Sequence, residues 1–321
     1  ATVGSHTVLI NNTGAAASAQ AFTGTTSYDA FTGGTGNDTF TFTVNDSLAN
    51  TDVIDGGAGT DTLVATLTGS GDANTARTPN VENIEVLKVK NNDTSTNTDL
   101  VTYNLVNTAS KFTTLWNDNS SENLSFTNVQ VVPDTLKLSL ATGTTTLNFA
   151  ATADLSGAAD SLTIEVLGTN TTTVALTGGL TLTGRVIETV TVHSDSVANT
   201  LADLQTTGVG TTTLNTTGAT QLTITAALDA EIATIDASGM TGTSGLSLGA
   251  APSITTGVTA TGSGGADTIY GSAGNDIINT GAGNDTINLA TIIATDTVDG
   301  GAGTDTVVAT VSVASDTVLQ V

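Results

Sequence analysis

A glycine-rich phrase of nine residues, Gly-Gly-x-Gly-x-Asp-x-apolar-x, recurs near both ends of the chain and constrains its fold more than any other feature. Near the beginning it occupies residues 33–41 and 56–64. Three copies follow one another in tandem over residues 262–288, and a further copy spans residues 300–308. A phrase that returns at a fixed period predicts a stack of similar coils, each of which contacts its neighbours.

Each position of the phrase has a defined chemical role. Glycine turns tightly and reaches positive φ without a clash at Cβ, so that carbonyl oxygens point into the turn. The aspartate adds an anionic oxygen, and Ca²⁺ prefers six to eight oxygen ligands at about 2.3–2.6 Å. The phrase therefore predicts a parallel β-roll that binds several Ca²⁺ ions. The apolar residue two places after the aspartate is expected to begin a strand and point into the core; it is Phe40, Leu63, Ile269, Ile278, Ile287 or Val307.

Copies eighteen residues apart are expected to stack directly, because two phrases make one coil. Asp267 and Asp285 have this separation and are predicted to flank one Ca²⁺ on the same side of the roll. Asp276 is predicted to lie on the opposite side, towards residues 296–299, where the repeat is interrupted.

The two ends share a second pattern, since residues 52–62 and 296–306 have the same acid spacing, three residues and then six. Asp52, Asp55 and Asp61 are predicted to build one site with the Gly57 carbonyl, and the second block to repeat it. The complete set of predicted calcium ligands is Gly33, Thr35, Asp38, Asp52, Asp55, Gly57, Gly59, Asp61, Gly262, Gly264, Asp267, Asp276, Asp285, Asp296, Asp299, Gly301 and Asp305.

Several further residues of the repeats have predicted roles. Residues 23–32 resemble a degenerate copy, with Asp29 nine residues before Asp38. The asparagines before the aspartates are expected to be turn formers that tolerate left-handed backbone; they are Asn37, Asn275 and Asn284.

The middle of the chain has short alternating runs of apolar and polar residues, such as residues 136–140 and 145–149. Apolar residues at every second position predict strands with one buried face. Threonine and asparagine suit ladders between stacked coils, whereas aromatic residues, at 3%, are few for a sandwich. We therefore predict a solenoid with about 20 residues per coil, and one short helical turn over residues 197–205.

The predicted fold class is all-β, a parallel β-roll and β-helix (β-solenoid) in which calcium-binding rolls flank a threonine-rich solenoid. The predicted domains are an N-terminal roll over residues 1–69, the solenoid over 70–255 and a C-terminal roll over 256–321. The chain lacks an initiator methionine and stops just after a repeat. We expect it to be a segment of a longer protein.

The charge and composition exclude several classes of partner. Thirty acidic residues against six basic ones give a net charge of −24, which repels nucleic acid and anionic lipid. No run reaches the ~18 apolar residues of a membrane helix, so no membrane insertion is expected. There is no cysteine, and metal and sheet stacking must replace disulfides as the stabilising links.

Catalytic candidates are sparse in this sequence. His6 and His193 lie far apart, without the spacing of a zinc site. Glu165, Glu188 and Asp236 could provide a carboxylate pair for glycoside hydrolysis, but few aromatic residues are available to stack on sugars. We predict that the segment is not an enzyme. Glutamates such as Glu188, with Glu82 and Glu85, are expected to make ladder, turn or calcium contacts.

The repeats resemble those of the RTX family of type I-secreted proteins, and the phrases at residues 81–89, 186–192 and 235–242 narrow the likeness to RTX-type surface-layer proteins of Gram-negative bacteria. The resemblance implies export to the cell surface, calcium-driven folding and self-assembly of copies of the chain into a two-dimensional lattice. A cell-surface polysaccharide is a further candidate partner. Two alternatives stay open, a secreted adhesin or filament subunit and the non-catalytic part of a secreted polysaccharide-acting hydrolase.

Overall fold

The computed structural model describes residues 9–11, 18–43, 48–67, 76–92, 101–105, 112–150, 160–168, 173–178, 187–206, 210–252 and 254–309. The chain forms two compact units, Ala1–Asp154 and Leu155–Val321. The described residues form β-strands joined by turns and include no α-helix. Accordingly, they contain no helix of the length and apolarity that a bilayer crossing requires.

The first unit contains short strands, mostly of three to six residues. They are β1 (Leu9–Asn11), β2 (Ala21–Thr23), β3 (Ala30–Thr32), β4 (Thr39–Phe42), β5 (Val53–Asp55), β6 (Thr62–Leu67), β7 (Ala76–Arg77), β8 (Asn80–Glu82), β9 (Val86–Asn91), β10 (Val101–Asn104), β11 (Thr114–Asp118), β12 (Leu124–Val129), β13 (Thr135–Ser139) and β14 (Thr145–Phe149).

The second unit is built in the same way. Its strands are β15 (Ser161–Leu167), β16 (Thr173–Gly178), β17 (Thr189–Asp195), β18 (Asn199–Leu201), β19 (Asp203–Gln205), β20 (Thr213–Gly218), β21 (Leu222–Ile224), β22 (Thr234–Met240), β23 (Leu246–Leu248), β24 (Thr259–Thr261), β25 (Thr268–Tyr270), β26 (Ile277–Asn279), β27 (Thr286–Leu289), β28 (Thr297–Asp299) and β29 (Thr306–Ala309).

All the paired strands are parallel, and each strand pairs with one from the next coil. In the first unit the strand orders are β1-β3-β5-β8, β2-β4-β6-β9-β11-β13 and β7-β10-β12-β14. In the second they are β15-β17-β20-β22-β24-β26-β28, β18-β21-β23-β25-β27-β29 and β16-β19. This topology confirms the predicted all-β parallel solenoid. The boundaries of the three predicted domains stay a prediction.

The register of the repeats follows the eighteen-residue rule. Thr259 lies opposite Ile277, and Thr268 lies opposite Thr286, so two phrases make one coil as predicted. Coils outside the repeats range upwards from the predicted length of about 20 residues. Thr135 lies opposite Thr114, 21 residues earlier, whereas Thr114 lies opposite Val86, 28 residues earlier, because the turns between β9 and β11 contain more residues.

The core consists of apolar side chains stacked from coil to coil. The Phe22 and Phe40 rings stack with centroids 4.7 Å apart, and Phe31 packs against both. The apolar position of the phrase is fully buried in five of its six copies, which confirms the prediction for Phe40, Leu63, Ile269, Ile278 and Ile287. Val307 is half-buried instead, because β29 pairs on one side only among the described strands.

The helical turn predicted over residues 197–205 is wrong. The structure places β18 and β19 there, and β18 pairs with β21 in the next coil. Leu201 and Leu204 are buried at 0% and 1% exposure. Pairing with a neighbouring coil satisfies the backbone and buries both leucines, whereas so short a helix is marginal without such packing.

Candidate metal sites

The aspartates of the second unit form two hydrogen-bonded ladders that run from coil to coil. In one ladder, Oδ1 of Asp285 accepts the backbone N–H of Asp267 at 2.8 Å, and Oδ1 of Asp305 accepts that of Asp285 at 3.0 Å. In the other, Oδ1 of Asp296 accepts the N–H of Asp276 at 2.9 Å. Asp267 and Asp285 therefore lie on one side of the roll, before β25 and β27, and Asp276 lies on the other, before β26.

The first unit repeats this arrangement. Oδ1 of Asp61 accepts the N–H of Asp38 at 2.6 Å, and Oδ1 of Asp52 accepts that of Asp29 at 2.9 Å. The ladder through Asp61 ends on a residue outside the phrase, since Oε2 of Glu85 accepts the N–H of Asp61 at 2.7 Å.

In three repeats, the aspartate carboxylate accepts a hydrogen bond from a backbone N–H group of its own turn. The second oxygen, Oδ2, accepts a backbone N–H from the residue four positions earlier, so both oxygens of these carboxylates have backbone donors. These bonds are Gly34 to Asp38 at 2.7 Å, Ser263 to Asp267 at 2.7 Å and Ser272 to Asp276 at 2.9 Å. Asp29 is closed in the same way by the N–H of Thr25 at 2.7 Å, as expected for a degenerate copy.

In other turns this oxygen, Oδ2, is open, which means that it accepts no hydrogen bond from the turn. Gly57 has a φ of 88°, and its N–H donates to Oδ1 of Asp55 at 3.0 Å rather than to Asp61. Gly281, with a φ of 92°, likewise donates to Asn279 at 3.1 Å. As a result, Oδ2 of Asp61 and Oδ2 of Asp285 are buried without a hydrogen-bond partner. A buried anionic oxygen without a donor is costly unless a cation neutralises it.

The first glycine of several phrases leaves a slot that a Cβ would fill. A Cβ on Gly262 would lie 2.8 Å from Oδ2 of Asp267 and against the carbonyl oxygen of Thr280 in the next coil. A Cβ on Gly56 would lie 2.6 Å from Oδ2 of Asp61 and against the carbonyl oxygen of Asn83. These slots present carboxylate and carbonyl oxygens, the donor set that Ca²⁺ prefers, so the residues fit calcium.

Backbone oxygens must supply much of any coordination shell. Among the described residues, no group of three or more His, Asp or Glu side chains converges on one point. The predicted grouping of Asp52 with Asp55 and Asp61 is therefore corrected. Asp52 lies in the ladder with Asp29 and Asp61 in the ladder with Asp38, because each carboxylate binds the coil before it.

The prediction for the second block, residues 296–306, is corrected in the same way. Asp296 corresponds to Asp52 and lies in the ladder with Asp276, whereas Asp305 corresponds to Asp61. Asp299 corresponds to Asp55, and its Oδ1 accepts the N–H of Gly301 at 2.9 Å. The identical acid spacing of the two blocks thus reflects identical hydrogen bonds.

The remaining predicted ligands lie in the turns of the same repeats. Gly33 is buried in the slot between Asp38 and the Gly56 carbonyl. The positions of these remaining residues are compatible with a role as carbonyl ligands, and that role stays a prediction. The exposed members of this group are Thr35, Gly59, Gly264 and Gly301.

The left-handed backbone expected of the asparagines before the aspartates is wrong, because none of Asn37, Asn275 and Asn284 has positive φ. Instead, Oδ1 of Asn37 accepts the N–H of Thr60 at 2.9 Å, and Oδ1 of Asn284 accepts that of Thr304 at 2.9 Å. Asn37 and Asn284 therefore link neighbouring coils through their side chains.

Burial raises the pKa of three of the ladder carboxyls. Desolvation is the largest cause for Asp61, whose pKa rises to about 6, and the negative charges of Glu85, Asp38 and Asp55 add to it. Burial also raises the pKa of Asp52 and Asp267. The ionised carboxylates are therefore destabilising in the metal-free fold, and a bound cation would reverse that effect.

This gives a pH dependence for the calcium-free protein. The folded pKa of Asp61 is about 6 against an ordinary value of 3.8, so the folded state binds the proton more tightly. The stabilisation is complete below about pH 4 and is lost as the pH rises through about 6. We expect the Tm in EDTA to be several degrees higher at about pH 4 than at about pH 7. The change in the free energy of unfolding that causes this difference is at most about 3 kcal/mol. Thermal melts at several pH values measure it.

Asp61→Asn is the control, because a neutral amide keeps an acceptor for the Asp38 N–H but does not titrate. Its Tm should change less over the same pH range. An Asp61→Asn profile identical to that of the unaltered chain would contradict the assignment of this effect to Asp61.

Glu85 is a residue whose role sequence reasoning left open between ladder, turn and calcium contacts. It ends the first ladder, and Glu188 makes the equivalent bond, with Oε2 accepting the N–H of Asp160 at 2.8 Å. Glu82 contributes its backbone, since its carbonyl accepts the N–H of Gly56 at 2.9 Å. The sequence feature that could have predicted this shared role is the Ile-Glu pair, which occurs at residues 84–85 and again at 187–188.

Comparison with known protein families agrees with the geometry. Four segments, residues 22–42, 48–67, 259–289 and 294–309, match the family of the RTX calcium-binding nonapeptide repeat. Neither the curated proteins nor the solved structures gave a match. RTX repeats are calcium-binding motifs typical of proteins exported by type I secretion, so the matched repeats indicate a secreted calcium-binding protein.

Proposed function

We propose that this chain is a structural segment of a surface-layer protein, which self-assembles through contacts between its copies into a calcium-stabilised two-dimensional lattice on the bacterial cell surface. The observation that supports it most is the pair of repeat blocks, one in each unit, whose buried aspartate ladders have the same hydrogen bonds. Such blocks would make the fold of both units depend on the same kind of cation, Ca²⁺ from outside the cell. A cell-surface polysaccharide is a proposed second partner.

Calcium has a folding role in this proposal. Asp61 and Asp285 would bind it through their open oxygens, with carbonyl oxygens of the adjacent turns. The ion would supply the positive charge that stacked carboxylates lack. At the low calcium level inside a cell the acidic repeats would be only marginally stable, and at about millimolar external calcium they would be firmly folded, since binding free energy becomes folding free energy.

We also propose that the segment has no catalytic role. His193 lies in β17, where its Nδ1 is 2.9 Å from Oγ1 of Thr217 and its Nε2 is 3.4 Å from Oδ2 of Asp195. Thr217 belongs to the adjacent strand, and Glu165 occupies the position opposite His193 on the other side. These contacts favour a strand-to-strand ladder. His6 lies outside the described residues.

Electron microscopy of the purified chain with and without Ca²⁺ tests the assembly proposal. Ordered sheets that form with Ca²⁺ and disperse in EDTA are expected. Fibres would favour the adhesin or filament alternative, and particles that stay dispersed with Ca²⁺ would contradict self-assembly. A parallel assay on polysaccharides with Ca²⁺ present tests for hydrolysis, and measurable cleavage would overturn the non-catalytic proposal.

A further inference from the structure

The first roll ends against a coil that is not a repeat. The family match stops at residue 67, and the next coil carries β8 and β9. Between these strands the turn is shortened: Asn83 occupies the position of the first glycine, and Glu85 that of the aspartate, only two residues later. The same two positions are five residues apart in the phrase of Gly56 and Asp61.

Three oxygen-bearing groups border the Gly56 turn at this junction between the roll and the solenoid. Oδ2 of Asp61 belongs to a side chain with 0% exposure, has no hydrogen-bond partner and points at the Gly56 slot. The carbonyl oxygen of Asn83 enters the same slot from the next coil. The Glu85 carboxylate lies beside them, with Oε2 2.7 Å from the Asp61 nitrogen.

The backbone of Asn83 is held in the conformation that makes this possible. Its φ is 51°, in the left-handed region, and its Nδ2 donates to Oδ1 of Asp55 at 2.8 Å. Asparagine tolerates this region because its short side chain can hydrogen-bond locally. In the preceding slot, at Gly33, the equivalent oxygens are Oδ2 of Asp38 and the Gly56 carbonyl. The Asn83 carbonyl thus replaces a repeat carbonyl.

Glu85 contacts Asp61 through both its backbone and its side chain. Its N–H donates to the Asp61 carbonyl oxygen at 3.2 Å, and Oε2 of its carboxylate accepts the Asp61 N–H at 2.7 Å. The sequence supplies a repeat-like set of oxygens where the repeat itself has ended.

We propose that the junction holds a calcium site formed by Oδ2 of Asp61, the Glu85 carboxylate and the Asn83 carbonyl, and that this site couples calcium binding in the roll to folding of the coils that follow. The inference rests on the proposed calcium role of the repeats. The coupling has a direct path, since the Glu85 carbonyl accepts the N–H groups of Thr113 and Thr114 in the next coil, at 2.8 and 3.0 Å.

The single tryptophan of the chain makes this site distinguishable from the others. Trp116 lies in β11, directly opposite Lys88 in β9, with the Lys88 ammonium 4.0 Å from its ring centroid. Lys88 is three residues after Glu85, about 10 Å along the strand. Terbium, which replaces Ca²⁺ at oxygen sites, should therefore luminesce at the junction when tryptophan is excited selectively.

The test compares Glu85→Gln with Glu82→Gln in the full chain. Both remove one charge from the same coil, but the Glu82 side chain is exposed, and glutamine at position 85 keeps an acceptor for Asp61. We expect Glu85→Gln to lower terbium affinity at the tryptophan-sensitised site about ten- to hundredfold and to bind one Ca²⁺ fewer in equilibrium dialysis. Glu82→Gln should match the unaltered chain. Asp61→Asn is a second variant that should also lose the signal.

The outcomes separate the two proposals. Unchanged luminescence and calcium count in both Glu85→Gln and Asp61→Asn would overturn the junction site while leaving calcium binding by the repeats intact. An unaltered chain that binds no Ca²⁺ would overturn the proposed function itself. Circular dichroism in EDTA shows whether each variant retains the metal-free fold, so that loss of signal is attributed to the missing ligand.

Discussion

In EDTA the chain is expected to melt roughly 5–10 °C lower than in millimolar Ca²⁺ for each calcium site that a unit holds, and to lose part of its β signal in circular dichroism. A site filled at a hundred times its Kd stabilises the folded state by about 2.7 kcal/mol. A unit of this size changes its Tm by about 2–4 °C for each kcal/mol. Thermal melts followed by circular dichroism measure the difference.

The large effect follows from how the acidic residues are placed. Seven aspartates of the ladders have at most 3% exposure, so solvent and salt screen them poorly. Charges at the ~5 Å spacing of neighbouring coils repel each other by about 3 kcal/mol at an effective dielectric constant near 20. Backbone donors offset part of this cost, but the open oxygens of Asp61 and Asp285 have none.

Magnesium is the matched control for chelation. Mg²⁺ carries the same charge, but it dehydrates reluctantly and requires a tight octahedral shell, which slots lined by turn carbonyls do not provide. Re-addition of Ca²⁺ should restore the Tm, whereas Mg²⁺ at the same concentration should restore little of it. An identical spectrum and Tm in EDTA and in Ca²⁺ would contradict the metal-binding role of the ladders.

Spacing in the sequence was sufficient to predict the register of the repeats. The eighteen-residue separation that placed Asp267 with Asp285 is the separation of Thr268 and Thr286 in the paired strands. The prediction succeeded because a coil of two fixed phrases has no free length. The buried apolar position could be predicted for the same reason, and it fails only at Val307, which has no described coil after it.

The hydrogen bonds of the site could not be predicted from spacing. Gly34 and Gly57 occupy the same position of the phrase, yet one amide closes Asp38 and the other turns towards Asp55. An acidic residue two places before the glycine competes for its N–H. The ladders of Asp52 and Asp61 likewise depend on which coil lies behind each carboxylate, a contact between residues more than twenty positions apart in the chain.

Asp285→Ala is expected to be the most damaging single substitution in the second block. It removes the acceptor of the Asp267 N–H, and a buried donor left without a partner costs about 1–3 kcal/mol. With Ca²⁺ present it also removes an anionic ligand and its share of the binding free energy, about 2.7 kcal/mol for a well-filled site. The loss of stability should therefore be clearly larger in Ca²⁺ than in EDTA, measured as Tm in the two buffers.

Asp285→Asn separates the two contributions. The amide oxygen can still accept the Asp267 N–H, so this variant should melt near the unaltered chain in EDTA and fall below it only in Ca²⁺. Asp203→Ala is the control, because Asp203 makes an exposed bond to Gln205 outside the ladders. Equal destabilisation by Asp285→Ala in both buffers would show that Asp285 acts only as a hydrogen-bond acceptor. The calcium requirement of the second block would then have to come from its other oxygens.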